Sequence, residues 1–189
     1  MSSPIALSTR DLRPLRRREY DVLVEQGCFE GEHVELLYGF VVPRAPEGPI
    51  HAAPIQRLTK TLILAVGDRA MIRVGHPLAL GDSEPEPDLA VVPVGDYDHA
   101  HPSTAWLVVE VSSSSLDKDR GLKARLYAEH GIDEYWIVNL RDRHVEVRTA
   151  PAADGYTHLV TRRAGERIAI QRLPDVSVAV DEILAPTTR

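Results

Sequence analysis

The sequence predicts a mixed α/β (α+β) domain with a central sheet flanked by helices. Short apolar runs of strand length recur along the chain, and three stretches carry the three-to-four-residue spacing of amphipathic helices. The two kinds of segment are interspersed, which implies one sheet with helices packed on it. A length of 189 residues, 43% hydrophobic and 26% charged, suits one globular domain with a sizeable core. No internal repeat or linker divides the chain, so residues 1–189 are read as a single domain.

Each element has its own signal. Leu12, Leu15, Tyr20, Leu23 and Val24 are spaced among Arg16, Arg17, Arg18, Glu19 and Asp21, a first amphipathic helix ending near Gly27. HVELLYGFVVP reads as a hairpin with Tyr38-Gly39 at the turn, and PRAPEGP as a proline-rich loop. A second helix is predicted from about His51 to Val66, burying Ile55, Leu58, Leu62 and Ala65, with Pro54 in its first turn. MIRV, HPLAL and, after the turn-like GDSEPEP, DLAVV are read as short strands. The loop GDYDHAHPST leads into the apolar WLVVEV, and a third helix is predicted from Asp117 to His130, closed by Gly131. EYWIVN, HVEVRT, YTHLVT, ERIAI and VSVAV are further strands, the later ones additional C-terminal strands before a last turn at DEIL.

Composition narrows the function classes. No apolar run is long enough to span a membrane, and MSSPIALSTRDLRP lacks a basic-then-apolar leader pattern, so no membrane partner is expected. The lone Cys28 rules out an internal disulfide and a multi-cysteine zinc site, and the cytoplasm is the expected compartment. A net charge of -6 does not advertise a nucleic-acid binder. Of 22 basic residues only Lys60, Lys118 and Lys123 are lysines, and two of them follow Glu110 closely.

Glu110 is the anomaly. It interrupts the strand Trp106–Val111, and a buried carboxylate is costly unless it is paired or holds a metal. Strand alternation puts it on the face of Trp106 and Val108, opposite Leu107, Val109 and Val111. Asp88 opens the apolar run of DLAVV and shares a face with Ala90 and Val92. If the two strands are neighbours, both carboxylates meet at one sheet edge. Two hard oxygen ligands, a backbone carbonyl and waters are what Mg²⁺ or Mn²⁺ requires; zinc would need a histidine pair or cysteine cluster. Lys123, Leu126 and Tyr127 stand at i, i+3 and i+4, which puts Lys123 on the core stripe of its helix, about a turn nearer that edge.

These residues resemble the Uma2 family of restriction endonuclease-like proteins, within the PD-(D/E)XK nuclease superfamily. The matching residues are Glu35-Leu36 with Gly39, His51, Pro87-Asp88, and Val108-Val109-Glu110-Val111 followed by four serines. They continue with Asp117, Asp119-Arg120, Lys123, Tyr127, Gly131 and Glu134-Tyr135-Trp136-Ile137-Val138, so the likeness runs from about residue 15 to 184. It departs at Tyr38 and Phe40 beside the hairpin glycine, at a serine run without proline, and at Asn139.

The resemblance implies a restriction endonuclease-like mixed sheet and an endonuclease that hydrolyses phosphodiester bonds in DNA. It implies Asp88, Glu110 and the Val111 backbone carbonyl as ligands of Mg²⁺ or Mn²⁺, and Lys123 as the basic residue. In the wider superfamily that lysine stands two residues after the acid, where this chain has Ser112, so the following helix would supply it. Glu35 is implied as an auxiliary acid and His51 as a neighbour of the site. Restriction-type nucleases often pair two sites, which makes a homodimer a candidate assembly.

Plainer readings stand beside these. Asp88 could be a solvated acid, Glu110 an acid paired with an arginine, and Lys123 a surface lysine paired with Asp119. Lys118 reads as solvated, Glu35 as an exposed strand residue and His51 as a polar helix start. Ser112 to Ser115 sit in no serine-hydrolase motif and read as a strand-to-helix loop. The rival function is a catalytically silent binding or regulatory module that keeps the nuclease fold.

Overall fold

A computed structural model describes residues 12–45 and 48–184. Most of the stretch read as leaderless, and Pro46-Glu47 of the proline-rich loop, lie outside the described residues.

Helix α1 spans Arg17–Glu25, and Glu19 accepts the Arg16 backbone N–H at 2.9 Å to cap it. Strands β1 (Val34–Leu37) and β2 (Phe40–Pro43) form the expected hairpin, with Leu37 opposite Phe40. Its two-residue turn requires positive φ at both positions, and Tyr38 and Gly39 supply 51° and 79°. Gly39 is also required by space: a Cβ there would stand 2.5 Å from Pro14 and 2.6 Å from the Leu15 carbonyl.

Helix α2 runs Pro49–Val66. It begins before the predicted His51, so Pro54 falls in the second turn, where it cannot donate to the Ile50 carbonyl. The remaining strands are β3 (Met71–Val74), β4 (Leu89–Val92), β5 (Leu107–Ser112), β6 (Glu134–Asn139), β7 (His144–Ala152), β8 (Gly155–Arg162), β9 (Arg167–Ile170) and β10 (Leu173–Ala179). Between β5 and β6 the chain is helical in three pieces: α3 (Leu116–Lys118), a π-helical turn (Asp119–Lys123) and α4 (Ala124–Glu129). Helix α5 (Val180–Ile183) forms the predicted last turn.

Six strands make the central mixed sheet in the order β3-β4-β5-β6-β7-β8. Only β5 and β6 are parallel, joined by the helical crossover; the other pairs are antiparallel. Strands β4, β5 and β6 are buried along their whole length, as strands covered on both faces must be. Leu107, Val109 and Val111 pack with Leu58 and Leu62 of α2 and with Ile170, Val178 and Ile183 of the C-terminal hairpin and helix. On the other face Ala90, Val92 and Val108 pack with Leu116, Ala124 and Tyr127 of the crossover. Within β5 the expected alternation is observed and Glu110 belongs to the crossover face, but Trp106, expected on that face, precedes the strand and packs with the opposite cluster.

HPLAL is not a strand. Its amides donate to separate segments, Leu78 to Pro85, Ala79 to Pro102 and Leu80 to Ser83, each at 2.9 Å. Leu78 and Leu80 are fully buried, so the apolar alternation records burial without a partner strand.

Candidate active site

Strands β4 and β5 are antiparallel neighbours, with Leu89 opposite Val109. Continuing that register by one residue sets Asp88 opposite Glu110. Each is only 4% exposed, and both line one recess with Glu35, Arg44, His51, Val111, Lys118, Asp119 and Lys123. The fold thus brings all five sequence-predicted side chains to one place: Asp88 and Glu110 from the sheet, Glu35 from the hairpin, His51 from α2 and Lys123 from the crossover.

Glu110 Oε1 accepts two hydrogen bonds of 2.8 Å, from Lys123 Nζ and from the Tyr127 hydroxyl. Lys123 also lies 2.9 Å from Glu35 Oε2, while Lys118 donates to Glu35 Oε1 at 2.9 Å. Glu35 is therefore a buried bridge between two lysines, which corrects its reading as an exposed strand residue, the plainer pairing of Lys123 with Asp119 and the reading of Lys118 as solvated. Lys123 pairs with Glu110 and Glu35, and Lys118 is held in the site. The Glu86 backbone N–H adds a longer bond to Glu35 Oε2, at 3.3 Å.

Asp88 is fixed from two sides. Its Oδ2 accepts the Val111 backbone N–H at 2.6 Å, tying the strands together at the site, and its Oδ1 accepts Arg44 Nη2 at 3.3 Å. Arg44 also pairs with Glu86 at 2.9 Å. His51 Nε2 lies 2.6 Å from the Val111 carbonyl and 3.4 Å from Asp88 Oδ2. A carbonyl only accepts, so Nε2 carries the proton in this arrangement.

The π-helical turn explains how a lysine on a helix reaches a strand carboxylate. Ala124 N–H donates to Asp119, five residues back, so the turn is one residue wider than an α-turn. The turn has Asp119 and Lys123 at its two ends, and both are only 2% exposed. Asp119 Oδ2 accepts the hydroxyls of Ser112 and Ser115, and the Asp119 carbonyl accepts Tyr135 at 3.2 Å. Ser112, in the position where the wider superfamily carries its lysine, instead fastens the strand end to the helix.

Charge in the recess is unevenly balanced. Burial works to raise the Glu35 carboxyl, but Lys123 and Lys118 outweigh it and hold the group below its usual range. Burial works against the Lys123 charge, yet Glu110 and Glu35 keep it protonated. Glu110 is pushed up to about 8, first by burial, with Lys123 opposing and Asp88, Asp119 and Glu35 repelling. The recess is short of positive charge.

The donor set fits a hard divalent cation. Two carboxylates and the Val111 carbonyl border a cavity of about 50 Å³, room for an ion and water, since roughly 10–15 Å³ admits one water. Among the described residues no group of three or more His, Cys, Asp or Glu side chains is arranged to hold a metal, so an ion here would need the Val111 carbonyl and water beside its two carboxylates. One or two carboxylates completed by water is the Mg²⁺ pattern. The Tyr127 hydroxyl and Arg44 were not foreseen: Tyr127 reads as core by its spacing, and nothing distinguishes Arg44 among the arginines.

Comparison with known proteins agrees with this fold. A family model described as "Putative restriction endonuclease", that of Uma2, matches residues 19–181. Among solved structures, a "putative nuclease belonging to DUF820" from Anabaena variabilis ATCC 29413 superposes with a TM-score of 0.64 at 12% identity. The match covers 80% of this chain and 89% of that one, and shows a shared fold. No curated protein matches. With the family model covering most of its length, the chain belongs to the Uma2 family.

Proposed function

We propose that this protein is a Mg²⁺- or Mn²⁺-dependent endonuclease that hydrolyses phosphodiester bonds in DNA. The observation that carries the reading is the convergence of Asp88, Glu110 and the Val111 carbonyl on one small recess, with Lys123 bonded to Glu110. Asp88, Glu110 and Val111 would hold the metal. When bound, it supplies a Lewis acid for the phosphate and a water of lowered pKa. Lys123 opposes the burial that raises the Glu110 carboxyl, and it supplies positive charge beside the reacting phosphate. Glu35 holds both lysines, and Lys118, 26% exposed, reaches the mouth of the recess, where it can meet substrate.

The test is cleavage of duplex and single-stranded DNA with Mg²⁺ or Mn²⁺, comparing wild type with Asp88→Asn and Glu110→Gln. Each substitution should lower the rate by more than about a hundredfold, beyond the effect of disturbing an outer ligand shell. Activity unchanged in both variants would sink the mechanism. The rival, a silent binding module, draws support from the net charge of -6. Calorimetric titration separates the two readings, because the rival expects no divalent binding at millimolar metal.

A further inference from the structure

A second cavity opens directly from the recess. It has a volume of about 290 Å³ and shares Ala45, His51 and Ser115 with the carboxylate site. From there it continues past Gly48, Ile50, Ser113, Ser114 and Leu140. It lies between the start of α2 and the serine loop after β5. Its described lining carries hydroxyls, small residues and two aliphatic walls, and contains no carboxylate.

Three other cavities among the described residues do not suit a polyanion. One of about 490 Å³ is lined by Asp21, Glu25, Glu84 and Asp98 against the single guanidinium of Arg17, and shares no residue with the recess. Another, about 220 Å³, meets the recess only at Asp88, and its walls include Ile55 and Val74. A third is an apolar patch on α2 around Ile63 and Leu64. Of these cavities the serine cleft alone adjoins the recess along several residues, Ala45, His51 and Ser115, and does so without a carboxylate in its described lining.

Size and chemistry identify the occupant. At 290 Å³ the cleft sits just below the roughly 300–1,000 Å³ of small-molecule sites, so it suits one unit of a strand. Serine hydroxyls donate to phosphate and sugar oxygens, the contacts that position a strand without reading sequence. Ile50, 80% exposed, is an unusually bare aliphatic side chain at the cleft wall, suited to a sugar or base face. Resting on the nuclease reading above, we infer that this cleft seats the nucleotide next to the scissile phosphate. Ser113 and Ser114 hold its backbone, and Ile50 packs on its apolar surface.

The test measures DNA binding by fluorescence anisotropy, with Ca²⁺ replacing Mg²⁺ so that cleavage does not intervene. The probes are a short labelled single strand and the matching duplex; Mn²⁺ affinity is read separately by calorimetry. The paired substitution Ser113→Asp and Ser114→Asp should weaken DNA binding by at least about tenfold and leave Mn²⁺ affinity intact. Ile50→Ala should weaken DNA several-fold, and Asp98→Ser, in the acidic cavity, should do nothing. Wild-type DNA affinity in both cleft variants overturns the inference while the nuclease reading stands. If the paired substitution also weakens Mn²⁺, Ile50→Ala decides, and undiminished binding there overturns it. A wild type that cleaves and binds neither DNA form removes the nuclease reading and the cleft assignment together.

Discussion

Lys118 and Lys123 grip opposite oxygens of Glu35, yet their surroundings give them different work. Lys123 is 3% exposed and lies between two buried carboxylates. Removing it strands Glu35 and Glu110 without that charge, so Lys123→Ala should cost about 3–5 kcal/mol of stability. Lys118 is 26% exposed and pairs with Glu35 alone, so Lys118→Ala should cost no more than about 1 kcal/mol. Cleavage should fall in both variants. Urea denaturation beside a cleavage assay checks the split: equal stability losses would show that both lysines are structural. The Tyr127 hydroxyl gives Glu110 a second donor, so the carboxylate is held by a helix as well as balanced by a charge. Glu110 was legible because a carboxylate inside an apolar run needs an explanation, whereas Asp88, at the end of the acidic turn GDSEPEP, was singled out by the family resemblance. Lys118 was not, because its partner Glu35 is 83 residues away in sequence.

At the scale of elements, a carboxyl pair docks α1 on the body. Glu84 is 6% exposed and bridges β1 through its backbone, with Leu36 N–H donating to its carbonyl at 3.2 Å. Burial, then Asp21 of α1, raises the Glu84 carboxyl from 4.5 to about 7, with Arg17 of α1 opposing and His101 facing it at 3.9 Å. The folded state thus keeps a proton that the unfolded chain has released between pH 4.5 and 7. This contribution is present below that window and declines as pH rises through it, by at most about 3 kcal/mol. Glu84→Gln should therefore match wild type near the acid end of the window and exceed its stability above it. Denaturation midpoints on both sides of the window check this; a pH-independent difference would refute it. The pair also shows where sequence reading stops. Strand alternation and helix spacing located the sheet and its helices, because those signals are local. HPLAL failed because burial alone produced its alternation, and the wide turn at Asp119–Lys123 was invisible because it exists to satisfy contacts with Glu110, Ser112 and Tyr135.

For the whole molecule, the question is how a chain of net charge -6 would hold a polyanion. The charge is not spread evenly. Arg44, Lys118 and Lys123 line the recess beside Glu35, Asp88, Glu110 and Asp119, while Asp21, Glu25, Glu84 and Asp98 line a separate cavity whose one guanidinium is Arg17. Binding by this protein would rest on a few cations at the recess and a bound metal, with little help from the field of the whole molecule. Each phosphate neutralised contributes about -0.9 to the slope of log affinity against log salt on duplex DNA. Lys123 is committed to Glu110 and Glu35, which leaves Arg44 and Lys118 as the substrate-side cations, although Arg44 also pairs with Asp88 and Glu86. The expected slope is then about -2, and Lys118→Ala should flatten it by about 1. Anisotropy titrations over a range of KCl with Ca²⁺ fixed would measure both. A slope of about -6 or steeper would place most of the binding on positive charge outside this site, as in an assembly of two copies, and an unchanged slope in Lys118→Ala would remove that lysine from the substrate path.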